Sequence, residues 1–300
     1  MKQSVLFLLL YFTSFHSKAQ TITFAEKVQK LTPNTSWQLK EAIPLQFPTF
    51  HPQGMVKIEE FFYMSSVEVI KSPKNGDAGE GIGHLFKFDS TGKLIQQMTL
   101  GEGSIYHPGG IDFDGKNIWV SVAEYRPNSK SIIYKVNLKT MTASEIMRFD
   151  DHIGGIIHNT DSNFLVGVSW GSRNFYEWKL SPKGKILTKT SPDKLQIKNP
   201  SFYIDYQDCH YVGNNQMLCS GFQKYSGPNG TVFRLGGFEL INLLDKRPVH
   251  QVPVKLWSPS GLAMTNNPFW VESSVKGLKA YFVPDDDKVS TLFIYEADLP

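Results

Sequence analysis

The feature that most constrains this chain is a repeat of five short segments. Each has a polar residue, a spacer, and then a small or aromatic residue followed by an aliphatic one. They recur about every 50 residues, at 51–55, 107–111, 152–156, 208–212 and 258–262. Repeats of this length are typical of propellers and solenoids, in which each copy forms one supersecondary unit. The hydrophobic pattern that follows alternates as in β-strands and shows no helical period.

Strand-like segments follow each repeat at similar spacing. A second strand is expected at 61–69, 117–125, 164–172, 216–223 and 269–275. A third is expected at 84–89, 131–138, 174–180, 237–243 and 291–298. Outer fourth strands are expected in the first four units only, at 93–100, 142–149, 185–190 and 250–256.

The ends of the chain explain the missing fourth strand. A spare strand-like segment, 37–45, precedes the first unit, and the last unit ends with the chain. Because one terminus can complete the last blade of a propeller and close its ring, the pattern predicts an all-β, five-bladed β-propeller closed by an N-terminal strand. The alternative is a six-bladed propeller with one degenerate blade.

Residues 1–19 have the pattern of a secretory signal peptide. Lys2 is followed by the apolar run 5–12 and by the small-x-small sequence 17–19. This run is too short to span a bilayer, and no other stretch approaches the roughly 20 apolar residues that a membrane helix needs. We therefore expect a secreted or periplasmic protein with no transmembrane segment and one propeller domain, 20–300.

Charge and motifs narrow the classes of partner. The chain has 31 Lys and Arg against 28 Asp and Glu, and two of these lysines lie in the signal peptide. Such a balance does not indicate nucleic acid as a partner, and we expect a monomer that binds a small carbohydrate. The absence of a G-x-S-x-G elbow, a P-loop, an H-E-x-x-H sequence and a paired C-x-x-C disfavours serine hydrolases, nucleotide enzymes and zinc proteases.

The two cysteines lie in one predicted hairpin. If 213–215 forms the turn, counting outward along both strands places Cys209 opposite Cys219. Cross-strand neighbours lie at about disulfide distance, and an oxidising compartment would allow the bond. The sequence leaves open whether these cysteines form a disulfide or pack as two thiols.

The first residues of the repeats should converge on one face of the propeller. They are His51, His107, His152, Asp208 and Ser258. Imidazoles that point at a common axis could bind a divalent metal in the central channel, with Asp208 completing the ligand set of His51, His107 and His152. They could equally act as general acid and base, and the cofactor is therefore left unknown.

A second set of side chains, at the ends of the second strands, should reach the same face. It comprises Glu68, Glu124, Tyr125, Arg126, Trp170, Arg173, Phe222, Lys224 and Tyr225. Within it we assign Tyr125 or Tyr225 as an acid, with His107 or His152 as the base. Arg126, Arg173, Trp170 and Glu124 are the expected substrate-binding residues, since an arginine pairs with a carboxylate and a tryptophan stacks on a sugar ring.

The stretch 107–120, His-Pro-Gly-Gly-Ile-Asp-Phe-Asp-Gly-Lys-Asn-Ile-Trp-Val, resembles a family of secreted bacterial propellers. It is also similar to propellers of marine algal-polysaccharide loci, of the ulvan-oligosaccharide dehydratase type. This resemblance implies a lyase that eliminates water from uronic-acid-containing oligosaccharides. Similarity to lactonase propellers lies in the fold alone, because histidines here replace the acidic and amide calcium ring of those enzymes.

The leading functional hypothesis is therefore a secreted carbohydrate-active lyase or dehydratase. One alternative is a glycan-binding propeller without catalysis, because propellers often bind ligands through aromatic residues on one face. Another is a metal-dependent hydrolase or lactonase that uses the histidine ring.

Overall fold

The structure is a computed structural model that describes residues 22–286 and 290–300. Its strands, in chain order, are β1 (Trp37–Pro44), β2 (His51–Ile58), β3 (Phe61–Lys71), β4 (Glu80–Asp89), β5 (Leu94–Leu100), β6 (Ile105–Phe113), β7 (Asn117–Glu124), β8 (Ser131–Asn137), β9 (Thr142–Phe149), β10 (Ile153–Asn159), β11 (Phe164–Ser169), β12 (Asn174–Lys179), β13 (Ile197–Lys198), β14 (Asp205–Gly213), β15 (Gln216–Ser226), β16 (Val232–Asn242), β17 (Arg247–Val254), β18 (Phe269–Ser273), β19 (Gly277–Phe282) and β20 (Thr291–Asp298). The described helices are α1 (Phe24–Gln29), α2 (Pro192–Leu195) and two 3-10 turns, Trp170–Ser172 and Met264–Asn266.

The fold is all-β and propeller-like. Three sheets have four strands, in the orders β2-β3-β4-β5, β14-β15-β16-β17 and β1-β20-β19-β18. The fourth is a curled eight-stranded sheet, β13-β12-β11-β10-β6-β7-β8-β9. Its two halves each have four antiparallel strands, and they meet through a single parallel pair, Gly110 with Gly155. Apolar side chains fill the spaces between neighbouring sheets and form the core.

The predicted closure by the N-terminal segment is confirmed. Strand β1 pairs antiparallel with β20, from Trp37 opposite Ala297 to Pro44 opposite Thr291. It forms the outer edge of a sheet whose other three strands come from the C-terminal end of the chain.

The sheet β1-β20-β19-β18 differs from the prediction in its inner strands. Segment 258–262 forms a turn rather than an innermost strand, because Gly261 has φ +83° and its amide bonds back to the Ser258 carbonyl. Strand β18 is innermost and β19, which was not predicted, is second. The Ser-Pro-Ser-Gly sequence resembles the His-Pro-Gly-Gly repeat, so 258–262 was predicted as the innermost strand. The residues of β18 were then assigned to the second strand, and those of β19 to a loop.

A short helix was also missed. Helix α1 begins with a capping box, in which Thr23 and Glu26 bond each other's backbone amides. Its Ala25 and Val28 are buried against apolar residues of the sheets β14-β15-β16-β17 and β1-β20-β19-β18. The Thr-x-x-Glu sequence was the signal for this helix, but six residues are too few for a helical period to stand out.

The two cysteines are bonded. Cys209 on β14 lies opposite Cys219 on β15, as the hairpin count placed them, and the side chains form a disulfide. A disulfide fits an extracellular or periplasmic location.

In the described part of the chain, none of the helices has the length and apolar character to cross a bilayer. The predicted signal peptide, 1–19, lies outside the described residues.

A buried carboxylate on the central axis links three innermost strands. Asp208 on β14 accepts a hydrogen bond from the Met55 amide of β2 (2.9 Å) and one from the Ile111 amide of β6 (3.1 Å). Its side chain also lies 3.4 Å from the imidazole of His210. Buried charges of this kind are tolerated only when they are paired and hydrogen-bonded.

A second buried carboxylate, together with His210, contacts the remaining innermost strands. Asp112 on β6 accepts hydrogen bonds from the amides of His158 on β10 (3.0 Å) and Tyr211 on β14 (3.2 Å). His210 lies between the two carboxylates and donates from Nε2 to the Phe269 carbonyl of β18 (3.0 Å). The axial triad, defined as Asp112, Asp208 and His210, thus contacts β2, β6, β10, β14 and β18.

The charge of His210 follows from this position. Burial alone would lower its pKa, but the neighbouring Asp208 and Asp112 raise the pKa of His210 to about 10. The imidazolium therefore persists at neutral pH and balances part of the carboxylate charge on the axis.

We predict that His210→Gln destabilises the fold by about 3–5 kcal/mol, because it leaves buried carboxylates without a cation. The folded pKa lies above the ordinary value, so the stabilisation from protonated His210 is complete below pH 6.5 and is lost as pH rises toward 10. Urea unfolding of both proteins from pH 6 to 9 should show the difference shrinking by roughly 1 kcal/mol per pH unit above pH 7. A difference that does not change with pH would contradict a charged His210.

We predict that β1 is required for a closed, soluble fold. A protein beginning at residue 47 lacks β1 and α1, so it should aggregate through the exposed edge of β20 or melt roughly 10 °C or more below one beginning at residue 20. A protein beginning at residue 36 keeps β1 and separates the contribution of α1. An unchanged melting temperature for the shortest protein, measured by circular dichroism, would show that β1 does not close the ring.

Candidate functional site

A pocket of about 460 Å³ opens on the face where the innermost strands begin. Seven residues of the two predicted sets line it: His51, His107, His152, Tyr125, Trp170, Phe222 and Lys224. The rest of the lining consists of Gln53, Gly154, Ser169, Gly171, Asp205, Tyr206, Gln207, Gln223, Arg234, Leu262, Asn266, Asn267 and Asp286.

The predicted place of Asp208 in the ring is wrong. In β2, the pairs of His51 and Pro52 precede a bulge that ends at Gly54. In β14, the pairs of Asp205 and Tyr206 precede the equivalent bulge, which ends at Asp208. Asp205 is therefore the counterpart of His51, and Asp208 takes the glycine position on the axis.

The predicted place of Ser258 is also wrong. The fifth position belongs to Asn267, which stands directly before Pro268 and β18, as His51 stands before Pro52. The Asn267 side chain donates to Asp286 Oδ1 at 2.7 Å. Ser258 instead lies in the preceding turn, where its hydroxyl donates to Asp285.

Three imidazoles form a row on the floor of the pocket. The ring centroid of His107 is 6.2 Å from that of His51 and 6.0 Å from that of His152. The Tyr125 ring covers His107 at a centroid distance of 4.1 Å. Within the described residues, neither nitrogen of the buried His107 ring has a hydrogen-bond partner.

The outer two imidazoles have fixed orientations. His152 donates from Nδ1 to the Glu124 carbonyl at 2.8 Å. His51 Nδ1 lies 2.7 Å from Asp286 Oδ1, and Asn267 holds the same oxygen. These bonds position two rings, whereas the central His107 keeps both nitrogens available.

Burial sets the protonation of the site. It holds the pKa of His107 well below its ordinary value, helped by the neighbouring His152 and His51, and it lowers the pKa of His152 to about 4. Both rings are therefore neutral at pH 7. Burial and the Asp286 charge raise the pKa of Tyr125, so its phenol keeps its proton. Burial opposes ionisation of Asp286, but the hydrogen bonds from His51 and Asn267 hold its pKa below the ordinary value.

An exposed tryptophan forms the rim beside the histidines. Trp170 is 39% exposed and its ring centroid lies 4.7 Å from His152 and 6.0 Å from Tyr125. It begins the 3-10 turn in which Gly171 has φ +60°, and this turn projects the indole over the pocket. A flat apolar ring at a pocket edge suits contact with the face of a sugar.

The structure places three predicted substrate-binding residues outside the pocket lining. Arg126 donates from Nε and Nη2 to one oxygen of Glu124, and the other oxygen accepts from Ser104. Arg173 pairs with Asp205 at 2.7 Å and also donates to the Gly171 carbonyl. Each arginine therefore already forms an ion pair with an acid, and the repeat pattern contained no indication of these pairs.

The second predicted acid, Tyr225, is 46% exposed on β15 and does not line the pocket. The pocket cations come from the same hairpin, where Lys224 lies opposite Arg234 of β16. Arg234 was missed because 232–236 was not predicted as strand. Asp205 was missed because the bulge in β14 was not predicted. Asp286 was missed because it belongs to no repeat.

The histidines do not form a metal site with Asp208. Residues 22–286 and 290–300 contain no group of three or more His, Cys, Asp and Glu side chains placed to hold a metal ion. Asp208 is occupied by backbone amides on the axis, and the Nδ1 atoms of His51 and His152 are engaged by other groups. This arrangement favours acid–base chemistry or binding over the predicted metal set.

We predict that His107 and His152 stay neutral from pH 5 to 8, because burial disfavours their charged forms. Nitrogen-15 NMR of the imidazoles, assigned with His107→Asn and His152→Asn, measures this directly. Tyr125→Ala removes the ring that covers His107 and should raise its pKa toward the ordinary value. A His107 that titrates near pH 6.5 in the unaltered protein would contradict the description of the pocket floor.

Solved structures resemble this fold at low sequence identity. A mannose phosphorylase from Leishmania mexicana, in complex with phosphate, has a TM-score of 0.51 at 9% identity over 85% of this chain and 88% of that one. A structure from the GH130 family of mannoside phosphorylases gives 0.48 at 10% identity over 83% and 84%. A periplasmic gluconolactonase from Pseudomonas aeruginosa gives 0.39 at 11% identity over 83% and 89%. At such identities, the first likeness supports the propeller-like fold alone.

Sequence comparisons place the chain in a family. A search of curated proteins finds no match to this sequence. Residues 10–300 match the model of DUF6454, a family of unknown function, and the chain therefore belongs to that family.

Proposed function

We propose that this protein is a carbohydrate-active enzyme that acts by elimination, as a lyase or dehydratase, on uronic-acid-containing oligosaccharides. The observation that carries the proposal is His107, a buried neutral imidazole with both nitrogens unpartnered on the floor of the pocket. Unsatisfied buried polar groups cost free energy, and substrate contact is one way to recover it.

Elimination needs a base and an acid that both reach the bonds that change. The base removes the proton from the carbon beside the uronate carboxylate, a carbon–carbon double bond forms, and the leaving oxygen departs with a proton from the acid. His107 or His152 supplies the base, since both are neutral at pH 7. Tyr125 supplies the acid, because its raised pKa keeps a transferable proton next to His107.

The pocket suits a small carbohydrate. Its volume of about 460 Å³ is within the range of small-ligand sites. Trp170 offers an exposed ring for stacking, and Gln207 offers an amide for sugar hydroxyls. The resemblance of 107–120 to propellers of the ulvan-oligosaccharide dehydratase type supports the same substrate class.

The proposal includes a five-bladed architecture, in which each half of the eight-stranded sheet counts as one blade. The single parallel pair between those halves supports this division. The five polar residues that begin the blades are then His51, His107, His152, Asp205 and Asn267.

We further propose that the protein is exported, since the disulfide fits an oxidising compartment, and that it acts as a monomer.

We predict that His107→Asn and Tyr125→Phe each lower kcat by about 10²-fold or more on uronic oligosaccharides, the usual contribution of a general acid or base. Absorbance of the new conjugated double bond, with the product mass from mass spectrometry, measures turnover. Tyr225→Phe is the matched control and should keep its activity, because that phenol lies outside the pocket lining. Unaltered protein that is inert on a broad panel of uronic oligosaccharides would refute the enzyme proposal.

A second candidate function is glycan binding without catalysis, which the exposed Trp170 favours. It predicts saturable binding that Trp170→Ala weakens and His107→Asn leaves unchanged. Elimination instead predicts that His107→Asn abolishes turnover while substrate binding is retained. Calorimetry on the same variants therefore separates the two.

A further inference from the structure

Two cations are cross-strand neighbours in the lining of the pocket. Lys224 and Arg234 are directly paired across β15 and β16, and both line the pocket. Like charges at opposed positions of a sheet repel each other and destabilise the pair. An arrangement that is unfavourable for folding needs another reason to be present.

The acids of the pocket are bonded mainly to other groups. Asp205 is bonded to Arg173 at 2.7 Å, and Asp286 lies 2.7 Å from His51 and 2.7 Å from the Asn267 amide. Burial raises the pKa of Asp205, and the charge of Lys224 opposes this rise, but less than Arg173 does. Within the described residues, no carboxylate lies within ion-pair distance of Lys224 or Arg234, so neither cation has an ion pair of its own.

The local fold holds these cations at the pocket edge. Strand β14 pairs with β15 only as far as Phe222, and β17 pairs with β16 only from Gly236. Beyond these points the hairpin continues as a two-stranded ribbon, in which Lys224 and Arg234 occupy the second register pair. The Lys224 ammonium lies 5.8 Å from the Phe222 ring centroid, on the side that faces the pocket.

We infer that Lys224 and Arg234 form a subsite for the carboxylate of a sugar acid. Arginine supplies a planar fork that matches a carboxylate, and lysine adds a compact charge beside it. The identification of the anion as a uronate rests on the proposed function. The subsite replaces Arg126 and Arg173, which Glu124 and Asp205 already occupy.

The same geometry also suits inorganic oxyanions, and the experiment separates these sources. Calorimetry with sodium D-glucuronate, D-glucose and inorganic phosphate is carried out on the unaltered protein, Lys224→Gln, Arg234→Gln and the control Lys183→Gln, an exposed lysine remote from the pocket. We expect glucuronate to bind more tightly than glucose, and each pocket variant to weaken glucuronate about tenfold or more, the usual loss of a charge-assisted bond. Glucose affinity and the Lys183→Gln protein should be unchanged.

A second measurement does not depend on any ligand. Removing one of two opposed like charges relieves repulsion, so each pocket variant should melt about 1–2 °C higher than the unaltered protein at low salt. High salt should abolish the gain, because it screens the repulsion, and Lys183→Gln should show none.

The outcomes decide the inference separately from the proposed function. Glucuronate binding lost in both pocket variants supports the subsite, even if no elimination is detected. Equal glucuronate affinity in all four proteins overturns it, even if elimination is observed. Phosphate binding that displaces glucuronate and is lost in the same variants would assign the subsite to oxyanions in general and overturn its restriction to sugar carboxylates.

Discussion

The fold depends on a small group of charges at its centre. His210 lies between Asp208 and Asp112, and these three side chains bond backbone groups on β2, β6, β10, β14 and β18. Taking such charges out of water is costly, so the group is favourable only when every strand is in place to complete it. The strands must also approach closely, since a Cβ at Gly54 would lie 2.7 Å from the Gly110 Cα. The axial triad therefore selects one arrangement of the sheets rather than adding general stability.

Burial determines the chemistry of the pocket. His107 and His152 lie in its lining and are buried, so both imidazoles are neutral, and the His107 nitrogens are unpartnered among the described residues. Trp170, Lys224 and Arg234 line the same pocket and are exposed. Asp286 orients His51, and Glu124 and Asp205 pair with Arg126 and Arg173. The site thus combines buried, neutral imidazoles with an exposed cationic edge.

The sequence predicted strands and their order better than it predicted side-chain partners. Alternation and turns located most strands and the pairing of 37–45 with 291–298, because these follow from local pattern and ring closure. The bulge before Asp208 shifts that residue to the axis, and a repeat pattern carries no information on bulges. Arg126 and Arg173 were placed near the right face, yet their pairing with Glu124 and Asp205 depends on contacts that only the folded chain creates. Lys224 was among the expected residues, but its partner Arg234 became apparent only from the hairpin register.

The pairing of β1 with β20 has a consequence for the order of folding. These strands are far apart in the sequence, so their contact closes a long loop, and loop closure of this kind is slow. The inner sheets are local hairpins and can form as soon as their own residues are available. The ring is therefore completed last, when Trp37 and its neighbours meet the C-terminal strand. Until that moment β20 has an open edge, which makes the nearly finished chain the species most in need of protection from association with its own copies.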